Sequence, residues 1–353
     1  MATPIYEFTQ LPHVAKGDAV DARDRRPLGP GEEPSVGVIY NPRSHGNQGA
    51  DFDCGMSPKV HIAQPGDRSQ LPKALSEFAA TGIDLLVING GDGTVRDVLT
   101  CGATIFGEDW PAIAVLPKGK TNALTVDLGV PNDWTLQHAI DAFKNGSRVY
   151  RRPIEITTLS EAGKDMPDDD RSNRVLGFIL GAGAFTTATQ AGQGAHRLGA
   201  FNSMAVAVAT FWGVLQWFFA SRANSWRRGA KMSIKLGVQE VPMVHSGLGD
   251  PEWRQLLFSS TLERMPAGAK PFGQLRSGLK LVATDQIKRR SVFTLIHLLR
   301  GGTANNLRER GFHQLSTPQY TLEIEAPFIL DGEAFPPGKY CIGQGPELAF
   351  VSP

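Results

Sequence analysis

Apolar runs alternate with amphipathic segments along the first 150 residues. Most of these runs are short, rich in β-branched residues and ended by Gly, Pro or Asn, which is typical of buried strands. The runs span residues 36–40, 59–63, 83–90 and 112–117. The intervening segments predict helices at 70–82, 94–103, 121–129 and 134–146, the last with Asp133 as its N-cap and Gly146 as its stop. Because buried strands that alternate with helices form parallel sheets covered on both faces, this pattern predicts an α/β domain.

The pattern changes after Arg151, where short alternating runs and frequent turn residues replace the longer helical segments. These runs span residues 153–160, 175–185, 231–239, 256–264, 279–287 and 320–326. Such a succession predicts an antiparallel β-rich domain, with one helix over 291–302. Residues 1–34 mix proline, glycine and both signs of charge, which favours a flexible tail, and they lack the apolar core of a signal peptide.

One window has no charged residue at all. It lies between Arg197 and Arg222 and contains six aromatic residues. Three interpretations are open, namely a buried helix, a helix that contacts lipid and a membrane span. Polar residues such as Asn202 and Gln216 argue against the span. We favour a helix over 197–222 that contacts a membrane surface reversibly, because arginines follow its aromatic end.

Composition narrows the functional classes. The 353-residue chain has a net charge of +1, so binding to nucleic acid through overall charge is not expected. Its three cysteines, Cys54, Cys101 and Cys341, are far apart and include no CxxC pair. A disulfide framework and a structural zinc site are therefore not indicated, and a reducing, cytoplasmic location is expected.

Three loops follow predicted strands, where ligands bind in parallel sheets. They have the sequences NPRSHGNQG (41–49), GGDGT (90–94) and PKGKTN (117–122). Glycines let the backbone approach a ligand closely, and a helix N-terminus favours phosphate. A carboxylate such as Asp92 beside phosphates indicates a metal ion that neutralises their charge. The alternative is that Asp92 is only the N-cap of the helix. A dinucleotide fingerprint would need glycine at Arg96, and a Walker A loop would need glycine at Ala114.

These loops together resemble the diacylglycerol kinase catalytic domain, a family that includes bacterial lipid kinases and sphingosine kinases and is distantly similar to NAD kinases. The resemblance rests on NPRSHGN, GGDGT, the residues Pro117, Gly119, Asn122, Ala123 and Leu124, and the sequence Asp331-Gly332-Glu333. It implies an N-terminal parallel α/β nucleotide-binding domain over 35–150 that the chain end, 336–353, rejoins. It also implies that residues 151–335, with the aromatic helix 197–222, form a C-terminal antiparallel β-rich domain for the lipid. On its own, Asp331-Gly332-Glu333 would indicate only a turn between strands.

The resemblance further implies phosphorylation of a lipid alcohol such as diacylglycerol, with ATP and Mg²⁺ as cofactors. Asp92, Asp331 and Glu333 would be the catalytic carboxylates; Asp92 would lie nearest the metal, and either Asp92 or Glu333 would be the general base. The nucleotide would be bound by Asn41, Pro42, Arg43, Ser44, Gly46, Gly90, Gly91, Gly93, Thr94, Gly119, Lys120 and Asn122.

The chain departs from the family pattern at several positions. Lys120 stands where the family has a small hydroxyl residue, Arg96 and Asp97 stand where it favours an Asn-Glu pair, and His45 interrupts a Ser-Gly pair. Three alternatives to a diacylglycerol kinase therefore stay open. They are a sphingosine-type kinase, which the Asn122-Ala123-Leu124 sequence favours, an NAD kinase-like enzyme, and a catalytically weak lipid- or nucleotide-binding protein. We expect peripheral contact with the inner membrane face, and the sequence is compatible with a homodimer.

Overall fold

The computed structural model of the chain describes residue 29 and residues 32–47, 59–159, 174–187, 225–302 and 305–353. The predicted aromatic helix 197–222 and nearly all of the predicted tail lie outside the described residues. Within the described residues, no helix is both long enough and apolar enough to cross a membrane.

The first sheet is mainly parallel and has six strands in the order β2-β1-β3-β4-β19-β5. Its strands are β1 (Val36–Tyr40), β2 (Val60–Ala63), β3 (Leu85–Gly90), β4 (Ala112–Pro117), β5 (Val149–Arg151) and β19 (Leu348–Phe350). Only β5 runs antiparallel to its neighbour. Every residue of β3 is buried, as the continuous apolar run predicts for a central strand covered on both faces.

Four helices accompany this sheet. They are α1 (Leu71–Thr81), α2 (Asp92–Phe106), α3 (Ala123–Leu128) and α4 (Leu136–Lys144). The prediction for the start of α4 was wrong. Its N-cap is Thr135, whose hydroxyl accepts a hydrogen bond from the His138 backbone while the His138 side chain accepts one from Thr135. This reciprocal capping box is a better start than the exposed Asp133 two residues earlier.

Two antiparallel sheets form the β-rich part. The second sheet has the order β10-β9-β15-β18-β6-β7, with β11 beside β9, and the third has the order β14-β13-β12-β8-β16-β17. Their strands are β6 (Ile154–Thr158), β7 (Arg174–Gly177), β8 (Ile179–Gly183), β9 (Ala230–Leu236), β10 (Val241–Pro242), β11 (Trp253–Arg254), β12 (Leu256–Ser260), β13 (Leu279–Thr284), β14 (Phe312–Thr317), β15 (Gln319–Ile324), β16 (Phe328–Leu330), β17 (Glu333–Phe335) and β18 (Gly338–Gln344). Two further helices are α5 (Ser225–Arg228) and α6 (Val292–Leu299). The predicted fold class, α/β followed by antiparallel β, is confirmed.

The run at 175–185 predicted one strand, and the structure contains two. β7 pairs with β6 in the second sheet, whereas β8 pairs with β12 and β16 in the third. The chain changes sheets at Phe178, whose buried side chain packs into the apolar core of the first sheet. An apolar run cannot show this change, because both strands bury their side chains.

The α/β and β-rich parts are packed together. Helix α2 contacts β7, and the Thr100 hydroxyl on α2 accepts a hydrogen bond of 3.0 Å from the Leu176 backbone. Leu176 and Phe178 belong to the same apolar core as the helices of the first sheet. This packing fixes the start of α2 relative to the strands that hold Asp331 and Glu333. The domain bounds drawn from the sequence stay a prediction.

Candidate active site

The loop after β1 is tied to the glycine-rich segment after β3. Asn41 Nδ2 donates to the Thr94 hydroxyl over 2.8 Å. Asn47 is buried, and its amide donates to Asn89 Oδ1, also over 2.8 Å. The Ser44 hydroxyl accepts a hydrogen bond from the Gly91 backbone at 3.3 Å. These contacts bring the two loops to one edge of the sheet, as their positions after neighbouring strands predict.

The GGDGT and PKGKTN loops touch through their glycines. A Cβ at Gly91 would lie 2.8 Å from the Cα of Gly119, and one at Gly119 would lie 2.7 Å from the Cα of Gly91. No side chain fits at either position. Gly90 is also confined, because a Cβ there would lie 2.6 Å from the Thr94 side chain.

Asn122 closes the third loop and starts α3. Its backbone is left-handed (φ 52°), which Asn tolerates better than most residues. Its side chain accepts from the Gly119 backbone at 2.7 Å and donates to the Gly119 carbonyl at 3.0 Å. The Gly46 backbone donates to the Lys118 carbonyl at 2.9 Å. Gly46 and Asn122 therefore shape the loops from within.

Asp92 is the first residue of α2, and its N-cap is Gly91. Asp92 Oδ1 accepts a hydrogen bond of 2.8 Å from the Ala123 backbone, which joins the start of α2 to the start of α3. Burial raises the pKa of this carboxyl, while backbone hydrogen bonds, that from Ala123 first, act in the opposite direction. The carboxylate thus lies between two helix N-termini.

Asp331 sits in the tight turn between β16 and β17, with a left-handed backbone (φ 46°). Its carboxylate accepts hydrogen bonds from the Phe178 backbone at 3.0 Å and the Ile179 backbone at 2.9 Å, where the chain changes sheets. Burial, and then the negative charge of Asp92, raise its pKa to about 7, although Arg96 opposes the rise. The turn is therefore also a carboxylate site beside Asp92.

Two arginine side chains donate hydrogen bonds to the carboxylate of Glu333. Arg96, which is 1% exposed, donates to Glu333 Oε2 and to Asp97 Oδ1, the latter over 2.8 Å. Arg68 donates to the same Glu333 oxygen over 2.5 Å and to Asp97 Oδ2 over 2.7 Å. We call these four residues the arginine–carboxylate network. Sequence reasoning missed Arg68, which no motif marks.

Two clefts meet at this edge of the sheet, with volumes of about 650 and 510 Å³. The larger is lined by Ile39, Asn41, Pro42, Arg43, Gln64, Pro65, Gly66, Asp67, Arg68, Ser69, Leu71, Thr94 and Asp97. The smaller, which we call the glycine cleft, is lined by Asn41, Arg43, Ser44, His45, Arg68, Gly91, Gly93, Thr94, Arg96, Asp97, Gly119, Lys120 and Glu333. Five of the predicted site residues line neither of these two clefts, namely Asp92, Asp331, Gly46, Gly90 and Asn122.

The carboxylates can be compared with the needs of Mg²⁺. Among the described residues, no group of three or more His, Cys, Asp or Glu side chains could hold a metal ion by itself. Asp92 and Asp331 are close enough for the charge of one to raise the pKa of the other. Mg²⁺ typically uses one or two carboxylates together with substrate phosphates. The residues therefore fit a magnesium ion that arrives with a nucleotide.

Comparison with known proteins agrees with this geometry. Residues 35–154 match the family model of the diacylglycerol kinase catalytic domain, so this part of the chain is similar to that domain. The "Probable lipid kinase YegS" proteins of Shigella flexneri and of Escherichia coli O9:H4 (strain HS) are each 28% identical over 72 residues. That match covers 20% of this chain and 24% of either relative, so the chain spans about a quarter of their length.

A solved structure supports the whole fold. That of a "putative diacylglycerol kinase" from Bacillus anthracis str. Sterne is similar with a TM-score of 0.60, covering 91% of this chain and 97% of that one. The sequences are 14% identical, so the similarity concerns the fold alone.

Proposed function

We propose that this protein is an ATP-dependent lipid kinase that transfers the γ-phosphoryl group to a hydroxyl of a lipid such as diacylglycerol. The observation that carries the proposal is the glycine cleft. Backbone from GGDGT and PKGKTN forms one wall, and Glu333 of the β-rich part faces it. A phosphate chain against glycines, with a carboxylate opposite, is the arrangement that phosphoryl transfer needs.

The two clefts suggest how ATP would lie. The larger cleft, with Ile39, Pro65 and Leu71 in its lining, has the apolar surface that a purine base requires. The glycine cleft would take the phosphates, with Arg43 and Lys120 as cations. Lys120 is exposed, so its ammonium group can reach an anion despite replacing the family's small hydroxyl residue. Arg68 borders both clefts and would lie beside the phosphate chain.

We assign Glu333 as the group that accepts the hydroxyl proton. Glu333 lines the glycine cleft, whereas Asp92 does not. Arg96 and Arg68 hold one oxygen of Glu333 and thereby fix the direction of its carboxylate. Asp92, assisted by Asp331, would hold the magnesium ion. When bound, Mg²⁺ would neutralise charge on the phosphates.

The acceptor would approach from the β-rich sheets, since these carry Asp331 and Glu333. A sphingosine-type lipid is the second candidate acceptor, because Asn122-Ala123-Leu124 resembles that branch. Reversible contact with the inner membrane face would bring such an acceptor to the site.

Transfer from radiolabelled ATP to a panel of lipid alcohols, and to NAD, tests the proposal. Labelled lipid is expected with wild type. With Glu333→Gln, the rate of transfer should fall at least a hundredfold. Asp92→Asn should also remove most transfer while the melting temperature stays within a few degrees. Labelled NAD would overturn the lipid assignment. ATP binding without transfer to any acceptor would identify a nucleotide-binding protein instead.

A further inference from the structure

A cleft of about 610 Å³ opens in the β-rich part of the chain. It shares no lining residue with the two clefts at the glycine loops. Among the described residues, its lining consists of Arg227, Leu248, Gly249, Gln286, Ile287, Lys288 and Arg289. Three of these seven residues are cationic and none is acidic. We call it the basic cleft.

A buried ionic cluster adjoins the basic cleft in the chain, since its central residue Asp285 directly precedes the lining residue Gln286. Asp285, which is fully buried, is ion-paired with Arg254 and accepts hydrogen bonds from the Ser246 backbone at 2.8 Å. His313 Nε2 lies 2.9 Å from its second oxygen. Burial alone would raise the pKa of Asp285, but these donors hold it below its ordinary value. The carboxylate of Asp285 is therefore held by its own buried partners.

The segment that leads to the cations is fixed as well. The Ile287 backbone donates to the side chain of Gln255 over 3.1 Å, and both residues are buried. The Gln286 amide reaches the Arg228 carbonyl over 3.4 Å, which joins the two sides of the cleft. Lys288 and Arg289 are exposed directly after this segment. The cleft is thus held in shape by contacts that leave Lys288 and Arg289 exposed, while Arg227 is half-buried.

Apolar side chains lie at the surface just beyond the cations. A 3₁₀ turn at Arg289–Ser291 leads into α6, on which Phe293 is 65% exposed and Leu299 is 39% exposed. An exposed phenylalanine within five residues of two cations is suited to a bilayer surface. There the cations meet phosphate while the ring enters the boundary of the acyl chains.

We propose that the basic cleft and α6 form a docking surface for a bilayer whose headgroups carry anionic phosphate. Charge complementarity commits the surface to this partner, because three cations converge where apolar side chains are also exposed. The inference rests on the proposed function and deepens it, since it names the surface that would make the contact with the membrane.

Co-sedimentation of the full chain with vesicles tests this surface. The vesicles are phosphatidylcholine alone or phosphatidylcholine with a minority of phosphatidylglycerol. Wild type should bind the anionic vesicles more tightly, and Lys288→Gln/Arg289→Gln should bind them about 30-fold less tightly, since each basic residue contributes about 1 kcal/mol. The matched control Lys59→Gln/Lys73→Gln removes two exposed charges from the α/β part and should stay within about twofold of wild type. Phe293→Ser should weaken binding about tenfold.

Other outcomes overturn the proposal. If Lys288→Gln/Arg289→Gln and Lys59→Gln/Lys73→Gln lose vesicle affinity equally, then only the net charge of the protein matters for binding. Stabilisation of wild type by inorganic phosphate, absent in Lys288→Gln/Arg289→Gln, together with no vesicle binding, would mean that the cleft takes a free phosphate. Transfer to a detergent-dispersed lipid alcohol separates the two proposals, because the double variant should retain it. If no protein transfers phosphate while wild type still binds vesicles, only the proposed function fails.

Discussion

Arg96 and Glu333 form an ion pair although they lie 237 positions apart in the chain. Arg96 is the fifth residue of α2, which starts in the GGDGT motif, and Glu333 is the first residue of β17. The pair therefore joins the helix that starts in GGDGT to the strand that follows the Asp331-Gly332 turn. It also accounts for the departure from the family's Asn-Glu pair, because Arg96 and Asp97 are both members of the arginine–carboxylate network.

Removing Arg96 should destabilise the protein. Arg96→Met leaves Asp97 and Glu333 with Arg68 alone, and breaking a buried ion pair costs about 3 kcal/mol. Urea unfolding measures the loss. Arg96→Lys keeps the positive charge but loses the planar fork of donors. Its free energy of unfolding should therefore lie between those of wild type and Arg96→Met. If Arg96→Met is as stable as wild type, the arginine–carboxylate network orients its side chains but does not stabilise the fold.

Arg68 should affect nucleotide binding more than folding. Its side chain is 34% exposed, so Arg68→Gln should change the melting temperature little. The KM for ATP should rise about tenfold, as expected for loss of one charged hydrogen bond. The neighbouring exposed Lys73→Gln serves as the control. An unchanged KM in Arg68→Gln would remove Arg68 from the phosphate site.

The contact between Gly91 and Gly119 should not tolerate a methyl group. Gly91→Ala forces the two loops apart, with an expected loss of about 1–3 kcal/mol and loss of ATP binding. Thermal unfolding with and without ATP measures both effects. Gly343→Ala is the control, because its Cβ would have no heavy atom closer than 3.7 Å. If Gly91→Ala binds ATP normally, the close approach is not required for nucleotide binding.

Asp331 should make stability depend on pH in a defined window. Its pKa is about 7 in the folded protein and near 3.8 when unfolded, so the folded state favours the protonated form. This contribution is fully present below pH 3.8 and is lost as pH rises towards 7. Asp331→Asn should therefore lose less stability than wild type between pH 4 and 7 in denaturant titrations. Asp133→Asn, at an exposed site, should follow wild type, and parallel profiles for all three proteins would contradict the assignment.

Periodicity was sufficient where burial is continuous. The runs 36–40 and 112–117 became β1 and β4, because an apolar run of that length in an α/β pattern has few alternatives. It was insufficient at Phe178, where one run supplies two sheets, and for β14, whose residues Phe312–Thr317 mix polar and apolar side chains. These strands are defined by their neighbours, which local sequence does not specify.

The sequence motifs alone identify Gly91, Gly119 and Glu333, which all line the glycine cleft. They could not lead to Arg68, because its partner Glu333 is 265 residues away. They also gave no means of separating residues that line the cleft, such as Lys120, from those that support it, such as Asn122. That distinction depends on the direction of side chains, which follows from tertiary packing.

The position of β19 has a consequence for the order of folding during synthesis. This strand, Leu348–Phe350, lies between β4 and β5, and among the described residues β5 pairs with no other strand of the first sheet. A ribosome that has made the first 150 residues has therefore not yet supplied a strand that their sheet needs. The α/β part must wait, incompletely paired and with an open edge beside β4, until nearly 200 further residues have emerged.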